Sequence, residues 1–147
     1  MKRRQIIVKN GPKAVGPYSA AIQVDHTVYV SGQLGIDLEA NLVGDDIVTQ
    51  TRKAIENLEN TLRSAGLELK DIVKTTVYLS DMDNFELMNQ TYAIYFAHPY
   101  PARTAFEVAR LPKNALVEIE AIAVASELPN FEDEKKTQKC KGKYCID

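Results

Sequence analysis

PARTAFEVARLPKNALVEIEAIAVA, residues 101–125, is the stretch whose reading decides the fold. Two strand-like runs flank the turn chemistry of Leu111-Pro112-Lys113-Asn114. From Leu116 onward the pattern has period two. Leu116, Glu118, Glu120, Ile122 and Val124 share one face, and Val117, Ile119, Ala121, Ala123 and Ala125 share the other. Past Glu120 both faces are apolar, which marks a central strand of a covered sheet. Two glutamates on such a strand are expensive unless they are paired or used. Arg103, at the mouth of the first run, is the nearest guanidinium in sequence.

Upstream of this stretch, Gln5–Lys9 reads as a short strand ended by Asn10-Gly11-Pro12. Ala20–Val24 and Thr27–Gln33 read as a hairpin across Asp25-His26. Asp45 or Asp46 can cap a helix whose apolar stripe is Val48, Ile55, Leu58, Leu62 and Ala65, with Gly66 placed to stop it. Ile72–Leu79 is a strand rich in β-branched residues. Asn84 can cap a second helix with Phe85, Met88, Tyr92, Tyr95 and Phe96 on one stripe, and Pro99 and Pro101 end it. The order β-β-β-α-β-α-β-β predicts an α+β fold, a six-stranded mixed sheet with two helices. Right-handed crossovers place both helices on one face. The bare face then needs a partner, and a second copy of the chain is the simplest one.

The chain has 147 residues, 45% of them hydrophobic, enough for one domain with a real core. A net charge of -2 gives no electrostatic footprint for nucleic acid. No apolar run is long enough for a membrane span, and the basic N-terminus runs into too short an apolar block for a signal peptide. Both cysteines, Cys140 and Cys145, fall near the C-terminus, so no disulfide framework supports the body. A cytoplasmic setting fits, with import into an organelle left open. Residues 129–147 read as a charged, disordered extension of a domain spanning 1–128. Two cysteines without nearby histidines are too few ligands for a structural zinc site.

Several residues carry possible chemistry. Arg103 suits a carboxylate clamp, because a guanidinium presents parallel donors, but a structural ion pair with a glutamate is the ordinary alternative. Glu118 suits a base or proton relay if burial raises its pKa, against the alternative of a salt-bridged core carboxylate. Glu120, one dipeptide deeper, reads as structural. Gly32, after Ser31, allows close approach of a ligand to the backbone or marks a bulge. Tyr18 offers a hydroxyl and a ring wall, or is an ordinary loop tyrosine. Asn89, inside the second helix, can hydrogen-bond a substrate or cap a loop.

Pro101-Ala102-Arg103, the Arg110-Leu111-Pro112 turn and the Ile-Glu-Ala strand from Glu118 to Ala121 resemble the hallmark of the Rid family of reactive enamine/imine deaminases. The resemblance runs from about Gln5 to Ser126. It implies a Bacillus chorismate mutase-like fold with the last strand slotted into the middle of the sheet. It also implies a homotrimer whose sites lie in clefts between neighbours. Arg103 matches the family's substrate-binding arginine and Glu118 its proposed catalytic glutamate, while Tyr18, Ser31, Gly32 and Asn89 match positions lining the cleft. Many members carry cysteine two residues after the arginine. Here that residue is Ala105, so no thiolate nucleophile is available there.

The expected activity is hydrolysis of 2-iminobutanoate and 2-iminopropanoate to the 2-keto acid and ammonia, without metal or cofactor. These imines arise from enamines released by pyridoxal-phosphate dehydratases. The rivals are a non-catalytic ligand-binding regulator using the same arginine pocket, and an RNA-cleaving translation inhibitor. The acidic balance and the lack of a catalytic histidine pair argue against RNA; only His26 and His98 exist.

Overall fold

The computed structural model describes residues 2–126, so the extension expected over 129–147, with both cysteines, lies outside the described residues. Six strands form one sheet: β1 (Arg3–Ile6), β2 (Ala21–Val24), β3 (Thr27–Leu34), β4 (Ile72–Leu79), β5 (Ala102–Glu107) and β6 (Val117–Val124). Their spatial order is β1-β2-β3-β6-β4-β5. All neighbours pair antiparallel except β4 and β5, which are parallel, so the sheet is mixed. Helices α1 (Ile47–Ser64) and α2 (Phe85–Tyr95) cover one face.

The last strand is central, as its two-faced apolar pattern and the family resemblance both implied. Val117, Ile119, Ala121 and Ala123 point into the helix-covered core, while Glu118, Glu120 and Ile122 are only partly buried on the other face. Against that core α1 lays Ile55, Leu58 and Leu62, all at 0% exposure. Burying each such side chain is worth about 1.5–3 kcal/mol. Asp46 caps α1 by accepting a hydrogen bond from the Thr49 N–H at 2.8 Å. Gly66, at φ 77°, takes the left-handed turn that leaves the helix.

Local differences from the sequence reading have simple causes. The first strand is Arg3–Ile6 and not Gln5–Lys9. Ile6-Ile7-Val8 has no alternation to fix the register, and pairing of Ile6 with Ala21 buries Ile6 while leaving Ile7 exposed. Asn84 occupies the N-cap of α2, but its side chain makes no capping bond. On the same helix Met88, Tyr92 and Phe96 are buried, whereas Phe85 stays partly exposed. Among the described residues no helix is long and apolar enough to cross a membrane.

Candidate active site

Glu118 lies opposite Leu34 of β3 and Tyr78 of β4. Between Val30 and Gln33, β3 carries one residue more than its partner segment Ile119–Ala121, so a bulge falls at Ser31-Gly32. The Glu118 carboxylate rests directly on Gly32. A Cβ built there would overlap Oε1 and come within 2.8 Å of Cδ. Any larger residue would displace the carboxylate, and this is what the glycine is for. Ser31 anchors the bulge to the preceding loop, since its hydroxyl donates to the Ser19 carbonyl at 2.6 Å and its N–H to Ala20 O at 2.9 Å. With its proton committed there, Ser31 Oγ faces a ligand only as an acceptor.

A cavity of about 320 Å³ opens over this carboxylate, walled by Val15, Tyr18, Gly32, Leu34, Pro112 and Glu118. Tyr18 OH accepts from the Val15 N–H at 3.3 Å, which leaves its own proton free to donate. A wider depression of about 670 Å³ lies beside it, over Arg3, Tyr29 and Ser31, and Tyr18 lines both. Although larger, the second depression does not reach Glu118, so the smaller cavity is the chemically relevant one.

Burial pushes the Glu118 carboxyl above the usual glutamate range, and the neighbouring Glu120 charge adds to the effect. No ion pair offsets this among the described residues. Glu120, which the sequence marked as structural, accepts a hydrogen bond from Tyr78 OH at 2.8 Å. Tyr78 in turn meets Phe106 edge to face at 5.2 Å.

Arg103 lies on the other face of the sheet. It pairs in register with Thr75, whose face is the buried one shared with Val77 and Ala121. There the guanidinium carbon sits 4.9 Å from the centre of the Tyr92 ring and 5.7 Å from that of Phe85. An arginine over an aromatic face gains about 0.5–2 kcal/mol. Within one chain Arg103 and the glutamates of β6 therefore lie on opposite faces of the sheet. Asn89 is on α2, four residues after Phe85 and three before Tyr92, so it shares their helical face. Its Oδ1 is buried and makes no hydrogen bond.

One protomer thus carries two groups. Tyr18, Gly32 and Glu118 line the smaller cavity on the uncovered face and Ser31 the wider depression beside it, while Arg103 and Asn89 belong to the helix-covered side near the β5 edge. Sequence reading missed the aromatic partners of Arg103, having counted Phe85 and Tyr92 only as an apolar stripe. It also missed Lys113 at the cavity rim, where φ is 59°. The Pro112-Lys113-Asn114 turn was legible, but not what it would face.

Known proteins share this framework. The profile of the family described as Endoribonuclease L-PSP matches residues 8–125. A RutC family protein of Pyrococcus horikoshii is 49% identical over 119 residues, which is 80% of this chain and 94% of its own. A Mus musculus protein named 2-iminobutanoate/2-iminopropanoate deaminase is 46% identical over 123 residues, 83% of this chain and 91% of its own. Among solved structures, a member of the conserved Rid protein family from Yersinia pestis superposes with a TM-score of 0.81 at 43% identity, over 84% of this chain and 100% of its own. The matched span includes every residue of both groups, and the chain belongs to the Endoribonuclease L-PSP family, the RutC/Rid proteins.

Proposed function

We propose that this chain is an imine deaminase, converting 2-iminobutanoate and 2-iminopropanoate to the 2-keto acid and ammonia. The observation that carries the reading is the raised Glu118 carboxyl, resting on Gly32 at the wall of a small cavity, in a chain 46% identical to a protein named for that activity. The substrates are the products of enamine release by pyridoxal-phosphate dehydratases.

Because Arg103 and Glu118 face opposite sides of one sheet, the working site joins two copies of the chain, and the closed assembly proposed is a homotrimer. Arg103 of one copy holds the substrate carboxylate through its fork. Glu118 of the next takes a proton from water as the oxygen attacks the carbon of the N-protonated imine, giving a neutral carbinolamine. The same carboxyl then protonates the nitrogen, the C–N bond breaks, ammonia leaves, and loss of the hydroxyl proton forms the keto group. Tyr18 donates, Ser31 accepts, and the backbone at Gly32 and the amide of Asn89 complete the orientation. The imine also hydrolyses in water, so much of the gain comes from positioning.

Nothing in the structure favours RNA cleavage. His26 sits in the β2–β3 turn and His98 lies against Tyr100 at 4.1 Å, and neither lines the Glu118 cavity. The test is a threonine dehydratase reaction containing semicarbazide as an imine trap. Adding this protein is expected to lower semicarbazone and speed formation of ammonia and 2-ketobutyrate. Identical time courses with and without it would discard the enzyme reading and leave a ligand-binding regulator.

A further inference from the structure

Arginines that bind carboxylates face a design conflict. A buried or half-buried guanidinium needs something to hold its charge, yet an acidic partner would occupy the N–H donors that the ligand requires. In this chain no carboxylate of the described residues pairs with Arg103. Instead its guanidinium lies over two ring faces, Tyr92 and Phe85. A ring face attracts the cation through its quadrupole and brings no carboxylate oxygens to occupy the N–H donors.

The nearer of the two faces is itself fixed. Tyr92 is 5% exposed, its ring stacks on Phe96 at 4.2 Å with an interplanar angle of 22°, and its hydroxyl bonds to Thr75 Oγ1 at 2.9 Å. Thr75 is the residue opposite Arg103 in the β4–β5 register, so ring and arginine are tied to the same rung of the sheet. Burial raises the Tyr92 phenol, with the Thr75 bond and the Arg103 charge acting the other way. The phenol stays neutral and gives Arg103 no counter-charge.

We propose that Tyr92 and Phe85 are positioning residues for Arg103, an aromatic platform that aims the guanidinium fork while leaving its donors free for the substrate carboxylate. The inference rests on the deaminase reading above for the identity of the ligand. It assigns the platform to binding and not to bond making. The platform variants should therefore raise KM and leave kcat nearly unchanged.

The experiment measures affinity for 2-oxobutanoate and for its neutral amide by calorimetry, beside KM and kcat on 2-iminobutanoate. The proteins are wild type, Phe85→Leu, Tyr92→Phe, Tyr92→Leu and Arg103→Ala. Phe85 is 37% exposed, so its replacement tests the platform even if Tyr92→Leu fails to fold. Both leucine variants are expected to weaken the carboxylate ligand about tenfold with kcat within about threefold of wild type. The preference for the carboxylate over the amide should shrink alongside. Tyr92→Phe, which keeps the ring, should restore both. If Arg103→Ala loses carboxylate affinity while Phe85→Leu retains it, together with Tyr92→Leu where that variant folds, the platform is wrong and the clamp survives. If Arg103→Ala binds like wild type, clamp and platform fall together.

Discussion

Glu118 is the residue whose environment is most unlike that of a surface carboxylate. It is partly buried, lacks a cation and has Glu120 beside it, and these raise its pKa above the ordinary glutamate range. As the proposed general base it must ionise, so the acidic limb of kcat/KM should lie above the ordinary glutamate range. Glu120→Gln should move that limb down by removing the neighbouring charge. Glu118→Gln is expected to lose about 10²–10⁴ in turnover while keeping affinity for 2-oxobutanoate, read by calorimetry. A raised native pKa also fixes the sign for stability. The contribution of Glu118 is complete below its unfolded pKa and is lost as pH rises through the folded one. At neutral pH Glu118→Gln should therefore melt at the wild-type temperature or higher, the gap closing in acid. Gly32→Ala tests the same geometry from below. The new Cβ must push the carboxylate aside, so the protein should fold and bind keto acid yet lose about a hundredfold in turnover, the usual effect of a displacement near 1 Å.

Among the elements, β3 and α1 set the shape of the cavity through one buried amide. Asn57, 2% exposed on α1, donates to Leu34 O at 2.9 Å and to Ile36 O at 3.0 Å, just where β3 passes Glu118. Asn57→Ala leaves those carbonyls without donors. It should cost about 1–3 kcal/mol in urea unfolding and weaken ligand binding as the β3 end loosens. Elements of this kind were legible from sequence where a local signal existed. Ile72–Leu79 was read with its observed bounds, and its β-branched Val73, Thr75 and Val77 are the local signal. Asp46 was among the two caps foreseen. What was not legible depended on pairing between distant segments. A bulge is one of the readings Gly32 allows and is what the structure holds, but its pairing against β6 is written nowhere in the local sequence. The face of Arg103 is set by its register with Thr75. Nothing within residues 101–107 states that register. Glu118 and Arg103 could be picked as reactive residue types, but their separation by the sheet could not.

At the scale of the whole molecule, the uncovered face carries Tyr29 at 50%, Phe106 at 42% and Val124 at 39% exposure around the two glutamates. A face of that character, with half of the chemistry on it and half on the far side of the sheet, suits a closed ring of copies in which each contributes one group to its neighbour. Mixing subunits tests this. Arg103→Ala and Glu118→Gln proteins, each inactive alone, are refolded together at equal concentration. Random assembly gives intact sites at about one position in four, so about a quarter of wild-type activity should return. A chain carrying both substitutions should restore none when mixed with itself. No recovery in the mixed sample would place both residues in the same protomer's site.

The position of β6 also has a consequence for how the protein comes into being. Among the described strands β6 is synthesised last, yet it lies between β3 and β4. Until it emerges, the nascent chain holds two separate pieces of sheet, β1-β2-β3 and β4-β5, each with a long open edge and no hydrogen bonds between them. Such edges invite pairing with strangers. The strand that bears Glu118 is also the one that closes both edges, so a chain interrupted before residue 117 would lack the proposed catalytic carboxylate and continuous sheet alike. Loss of the site and exposure to aggregation would arrive together, and no soluble, half-built binder would linger to compete with the finished protein.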